Sequence, residues 1–183
     1  MRMLAAQVAL VALAWIAPPA HAGEVFEGLG PELIGSELTT VLEGAELACH
    51  QEPADAAVRR CRPLPGALDI LGGAKVTSVE ALFVDRHLAQ VTVYFGERDF
   101  PKVLAYLTPK LGEGQDWTVT IRGGMNAGFK DQIVIWEQSG VSALLQQFDR
   151  KIDRASLIYG SSPAMADVLN HIKATPPGGV RDL

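Results

Sequence analysis

The sequence predicts an α+β fold: a mainly antiparallel sheet of about five to six strands with two to three helices packed on it. Two observations carry that expectation. Segments whose apolar residues alternate outnumber segments with a helical stripe, and hairpin-length connections join most of them. No internal repeat or low-complexity run interrupts the pattern.

The chain opens with Arg2, an uncharged run from Leu4 to Ala17, a Pro18-Pro19 break and Ala20-His21-Ala22. That order of basic residue, short apolar run and small residues is the pattern of a secretory signal, with cleavage expected after Ala22. The run has 14 residues, short of the roughly 20 that span a hydrocarbon core. Residues 1–22 are therefore expected to be a signal peptide, 23–172 a single α+β domain and 173–183 a flexible, Pro/Gly-containing tail. No stable membrane insertion is expected once the signal is removed. All 21 acidic residues lie beyond it, and only Arg2 of the 16 basic residues is lost with it. Such an acidic chain lacks the basic face that nucleic acid requires, so no nucleic acid partner is expected.

Each element follows from its own pattern. In the stretch LIGSELTTVLEG, Ser36 is the expected N-cap, Leu38, Val41 and Leu42 the apolar stripe and Gly44 the stop of a short helix. Val79, Ala81 and Phe83, then Val91, Val93 and Phe95, alternate on either side of Asp85-Arg86-His87, which reads as a β-hairpin. Phe100, Val103, Leu104, Leu107 and Leu111 place one apolar stripe on a helix capped by Asp99 and closed by Gly112. Pro109 lacks an N–H and crowds the preceding turn, so this helix is expected to end or kink near Thr108.

Trp117, Val119 and Ile121 alternate as a strand. Ile133-Val134-Ile135-Trp136 is apolar on both faces and predicts a strand buried or functional on both sides. VSALLQQF fits either periodicity, and its place between strands favours a third strand; RASLIYGS supplies a fourth. Ser162 and Pro163 open a closing helix through Met165, Val168 and Leu169.

Cys49 and Cys61 are the two cysteines of the chain, with eleven residues between them. In an exported chain a disulfide is the first reading. A redox centre wants Cys-x-x-Cys spacing. A zinc site would have to use adjacent Cys49 and His50 and finds no fourth ligand in a second motif. The intervening HQEPADAAVRR reads as a solvated loop or a single helical turn, with the cluster of Arg59, Arg60 and, just past Cys61, Arg62 offset by Glu52 and Asp55.

No catalytic residue, metal site or cofactor is assigned. His50, His87 and His171 fall in the segment between the cysteines, a hairpin turn and a terminal helix, each without an obvious acid or nucleophile companion, and no serine sits in a G-x-S-x-G elbow. The glycine-rich RGGMNAGFKD precedes a strand rather than the helix a phosphate loop needs, and reads as a turn. FDRKIDR, with both signs mixed, reads as a solvated turn.

In SVEALFVDRHLAQVTVYFGERDFPKVLAYLTPKLG, a hairpin with a short charged turn leads into an F-x-x-V-L helix that ends in K-x-G. This resembles small uncharacterised exported proteins of Gram-negative bacteria. With the helix that runs from Gly35-Ser36 to Val41, it also resembles the SmpA/BamE-like and β-lactamase-inhibitor-like modules. The lipobox cysteine of SmpA/BamE is missing, and the Cys49 to Cys61 segment is extra. The resemblance implies a protein-binding module and transfers no catalytic residue.

The expected function is that of an exported, periplasmic or secreted, non-enzymatic binding or accessory protein of the cell envelope, its partner an envelope protein. The alternative is an inhibitor of an exported hydrolase such as lysozyme, with the Ser139-Gly140 turn in WEQSGVSALL as its cue. Trp136 and Val134 are the candidate partner-binding residues, because something must cover the second face of their strand. That cover is either the closing helix around Met165, Val168 and Leu169 or a partner.

Overall fold

The computed structural model describes residues 24–52, 55–122 and 128–182. The expected signal peptide lies outside them, as do residues 123–127 of the glycine-rich turn. Among the described residues, four α-helices accompany twelve strands in two sheets. The count corrects the expected five to six strands and two to three helices, although the sheets remain mainly antiparallel.

The strands are β1 (Leu47–Glu52), β2 (Asp55–Pro63), β3 (Ile70–Leu71), β4 (Ala74–Val84), β5 (His87–Gly96), β6 (Gln115–Asp116), β7 (Val119–Arg122), β8 (Gly128–Asp131), β9 (Ile133–Gln138), β10 (Val141–Gln146), β11 (Arg154–Ser161) and β12 (Val180–Asp182). The helices are α1 (Val25–Gly28), α2 (Leu38–Gly44), α3 (Phe100–Leu111) and α4 (Ser162–Lys173). Nine strands form the large sheet in the order β1-β2-β4-β5-β11-β10-β9-β6, with β3 paired to β4; β12, β7 and β8 form the small one. β11 thus joins the strands of the N-terminal half to those that follow α3.

The extra strands have physical reasons for looking like loops. β3, β6 and β12 have only two or three residues, too few for a period to show. In β2, exposed Arg60 and Arg62 alternate with buried Cys61, which is the pattern of a half-buried strand. The segment between the cysteines is therefore a hairpin of β1 and β2, and not the expected loop or helical turn. Cys49 stands opposite Cys61 in its register, and the two form a disulfide. The expected tail also contributes structure, since Val180 to Asp182 pair in parallel with Thr120 to Arg122 of β7.

Local sequence accounts for the central elements. β4 and β5 meet in a two-residue turn, Asp85-Arg86, with both residues at positive φ, the twist that a tight hairpin requires. The expected inward set, Val79, Ala81, Phe83, Val91, Val93 and Phe95, is buried. α2 starts two residues after Ser36, at Leu38, and its N-cap position is Glu37. Ser36 instead ties the approach to the helix onto β5, its carbonyl accepting the N–H of Leu88 at 2.9 Å. α3 continues through Pro109 to Leu111 and does not end at Thr108. Pro109 sits in the last turn, where a missing N–H costs one bond, and Gly112 closes the helix at φ 78° with its N–H on the Thr108 carbonyl.

The core has two parts, one on each face of the large sheet. On one face Phe83, Phe95, Leu157, Tyr159 and Trp136 pack with Val25, Leu29, Val41, Phe100, Val103 and Leu107 from α1 to α3. On the other, Ile133, Ile135 and Leu144 pack with Met165, Leu169 and Ile172 of α4 and with Val119 and Ile121 of β7.

Candidate functional site

The two faces of β9 are both covered, but by different elements from those the sequence suggested. α4 packs on Ile133 and Ile135. Val134 and Trp136 belong to the opposite core, and the end of α3 with the segment after it closes over them. The Trp136 indole N–H donates to the Gly112 carbonyl at 2.8 Å. Gly114 lies so close that a Cβ there would stand 2.3 Å from Val134 Cγ1 and 2.9 Å from Trp136 Nε1, which explains glycine at that position. Trp136 is only 3% exposed and Val134 is buried, so neither forms an exposed apolar patch.

Trp136 nevertheless lines a cleft. The cleft holds about 210 Å³ and is walled by Pro31 and Glu32 from the 3-10 turn after α1, Leu111 at the end of α3, and Gln138, Ser139, Val141 and Ala143 of the β9–β10 hairpin. Its volume is below the roughly 300–1,000 Å³ of small-molecule pockets, and suits a side chain or two. A second cleft of about 340 Å³ shares Pro31, Glu32 and Leu111 with it and continues past Phe26, Glu27, Tyr106 and Lys110. Together they make one groove between the first helix and turn, α3 and the hairpin tip.

The groove's walls are tied down at several points. Phe26 meets Tyr106 edge-on at 5.9 Å between centroids and packs on Tyr159 at 5.6 Å, while the Tyr159 hydroxyl donates to the Leu29 carbonyl. The Gln138 side-chain amide donates to the Leu111 carbonyl at 2.6 Å, joining hairpin to helix. Lys110 stands 4.8 Å from the Tyr106 ring centre, a cation–π distance. Burial, followed by the charges of Glu24 and Glu27, pushes the Tyr106 hydroxyl up to about 12. It is a neutral donor at any physiological pH.

The groove is therefore apolar at its base, with the Glu27 and Glu32 carboxylates on one wall and Lys110 on the other. It brings together Trp136 and residues more than 100 positions earlier in the chain, a juxtaposition no local pattern announces. Its geometry can hold an apolar side chain against the indole and present carboxylates to a neighbouring cation.

The other sequence-selected residues stay apart. His50 is exposed on β1, His87 lies beside the hairpin turn with Nδ1 2.9 Å from the Asp85 carbonyl oxygen, and His171 is exposed on α4. Among the described residues, no three His, Cys, Asp or Glu side chains converge as metal ligands would. Arg60 and Arg62 bond Glu80 of β4 at 2.6 and 3.2 Å. Burial would raise the Glu80 carboxyl, but the hydrogen bonds and charges of both arginines outweigh it and hold the group below its ordinary value. Pairing of β2 with β4 sets Glu80 beside the arginines, while the side chains of Glu52 and Asp55, expected to offset them, lie outside those described. In FDRKIDR, the Arg154 guanidinium donates to the Asp149 carbonyl and Arg150 takes the positive φ of a turn.

No family model and no curated protein matches the chain. Among solved structures it is similar to a cysteine-rich secretory protein from Staphylococcus aureus subsp. aureus Mu50, with a TM-score of 0.44 and 10% identity over 78% of this chain and 49% of that one. The chain thus spans about half the length of that structure.

Proposed function

We propose that this chain is an exported, non-enzymatic binding protein of the cell envelope, and that it holds a segment of a protein partner in the groove over Trp136. The observation that carries the reading is the groove itself: an indole-floored cleft of side-chain size, continuous with a second cleft, built on elements locked by hydrogen bonds. Preformed walls lower the ordering cost of binding, and tryptophan ranks high among the residues that dominate binding energy. The Cys49–Cys61 disulfide supports export, since such bonds persist in oxidising compartments. The signal-like N-terminal sequence points the same way.

Two substitutions test the site without touching the core. Val141→Trp fills the cleft beside Trp136, and Glu32→Lys reverses a charge at the point where the two clefts meet. A partner captured from envelope extract by the unaltered protein should be lost with both variants. Equal capture by all three would remove the groove from the function.

A second reading, inhibition of an exported hydrolase, draws on the tip of the β9–β10 hairpin. Ser139 and Gly140 are exposed, both at positive φ, at the end of two well-paired strands, a shape that can enter an active-site cleft. Assays against several exported lysozymes separate the readings, because undiminished lysis in all of them rules out lysozyme inhibition.

A further inference from the structure

We propose that the outer edge of β1 accepts an extended segment of another protein as an added strand of the large sheet, and that this segment alternates apolar with acidic residues. The site is separate from the Trp136 groove and does not depend on it, since β1 ends the sheet on the side away from β9 and β10.

The backbone supplies the first argument. The Leu64 N–H donates to the Glu46 carbonyl at 2.8 Å, which fixes the phase of the β1–β2 ladder. With Ala48 opposite Arg62 and His50 opposite Arg60, the alternation of an antiparallel pair commits residues 48 and 50 to β2 and turns the N–H and C=O groups of Leu47 and Cys49 outward. Proteins usually blunt such an edge with proline, lysine, a bulge or a very short strand. The other end of the sheet is blunted in this way, by the two-residue β6. Leu47 to His50 carry neither proline nor lysine, and the irregularity in the ladder comes only after Gln51. The disulfide from Cys49 to Cys61 also fixes this edge to β2 before any partner arrives.

The side chains choose the occupant. Leu47 and Cys49 are half-buried and pack against the main core, so a strand laid beside them places apolar side chains on that face. Ala48 and His50 point to the other face and are exposed. Arg62, opposite Ala48, has a side chain 71% exposed and a single 3.2 Å bond to Glu80. The added strand would lie about 10 Å from β2, two strand spacings away. Alanine is too small to block that distance, and an extended arginine can cross it to a carboxylate. Self-pairing, in which a second copy would bring its own exposed Glu46 as well as Arg62 and His50, is read in the test by its dependence on protein concentration.

The test uses two capped hexapeptides, one alternating glutamate with valine and one alternating lysine with valine, and reads amide hydrogen exchange in the intact, oxidised protein. The glutamate peptide should slow exchange at Leu47 and Cys49 at least tenfold and leave Ala48 and His50, already bonded to β2, unchanged. Arg62→Glu, a surface change, should transfer that protection to the lysine peptide. Leu47→Pro, which removes one outward donor, should weaken binding of the glutamate peptide about tenfold. The proposal is overturned if neither peptide protects this edge, if both protect it equally, if Arg62→Glu makes no difference, or if protection appears without peptide and grows with protein concentration.

Discussion

At the scale of single residues, Trp136 is both a core residue and the floor of the groove, and the two roles can be separated. Trp136→Ala empties a buried site and should cost about 3–5 kcal/mol in urea denaturation. Trp136→Phe keeps most of the burial and gives up the bond to the Gly112 carbonyl, worth roughly 1 kcal/mol. Gly114→Ala should destabilise by about 1–3 kcal/mol, because the new methyl group would overlap Val134 and the indole. A Gly114→Ala protein as stable as the parent would mean that the segment closing over β9 can move aside. Tyr106 offers a test of the groove's electrostatics. Its hydroxyl ionises near pH 10 in an unfolded chain but only at about 12 in the native one. The raised value contributes stability that is full below pH 10 and is lost as pH climbs through 12, because the unfolded state releases its proton first. Tyr159, buried and raised well above its ordinary value, adds to the same slope. Tyr106→Phe should therefore flatten, without abolishing, the fall of unfolding free energy between about pH 10 and 12.

Among elements, the β1–β2 hairpin makes the disulfide a staple within one supersecondary unit. Changing both Cys49 and Cys61 to serine should lower stability by roughly 3 kcal/mol, the chain-entropy value for so short a loop, and leave a cooperative transition in denaturant. A doubly substituted chain with no transition would make the staple a condition of folding. Elements whose own residues carry the pattern were legible in the sequence: the β4–β5 hairpin, α3 and α4 stand where alternation and the 3.6-residue stripes put them, β9 where its apolar run puts it, and β10, which fits either periodicity, where its place between strands puts it. Those that depend on a neighbour were not. β1 lies at the sheet edge and β2 beside it carries polar residues on its exposed face, and β12 takes its place only through pairing with β7. The site divides in the same way. That β9 is covered on both faces could be read from four consecutive apolar residues. That α3 and Gly114 cover the Trp136 face, with Pro31 and Glu32 walling the cleft, depends on the packing of distant segments.

On the scale of the whole molecule, the two cores share one sheet, with β9, β10 and β11 contributing side chains to both. Loss of either core should therefore carry the other with it. In the chain from Gly23 onward, Trp117 reports on the α4 face when Trp136 is replaced by phenylalanine, and Trp136 reports on the other when Trp117 is replaced. Each variant's fluorescence and far-UV circular dichroism should give one midpoint. Separate midpoints for the two probes in the same protein would show two folding units where we expect one.

β11 also decides the order of events in folding. It lies between β5, which ends 58 residues before it begins, and β10, so neither neighbour has its second partner until Arg154 to Ser161 are available. Pairing across such a separation carries a loop-closure cost that local hairpins avoid, and it slows the search for the native state. Through that interval the ten-residue β5 offers an open ladder that includes Leu88, Val91, Val93 and Phe95, a template for aggregation as much as for β11. A chain that emerges from a translocation channel N-terminus first would have nearly all of its length across before the sheet could close. Its dependence on a holding chaperone should then follow the time needed to deliver residues 154–161, so that slower export lengthens the exposure of β5 while the stability of the finished fold stays the same.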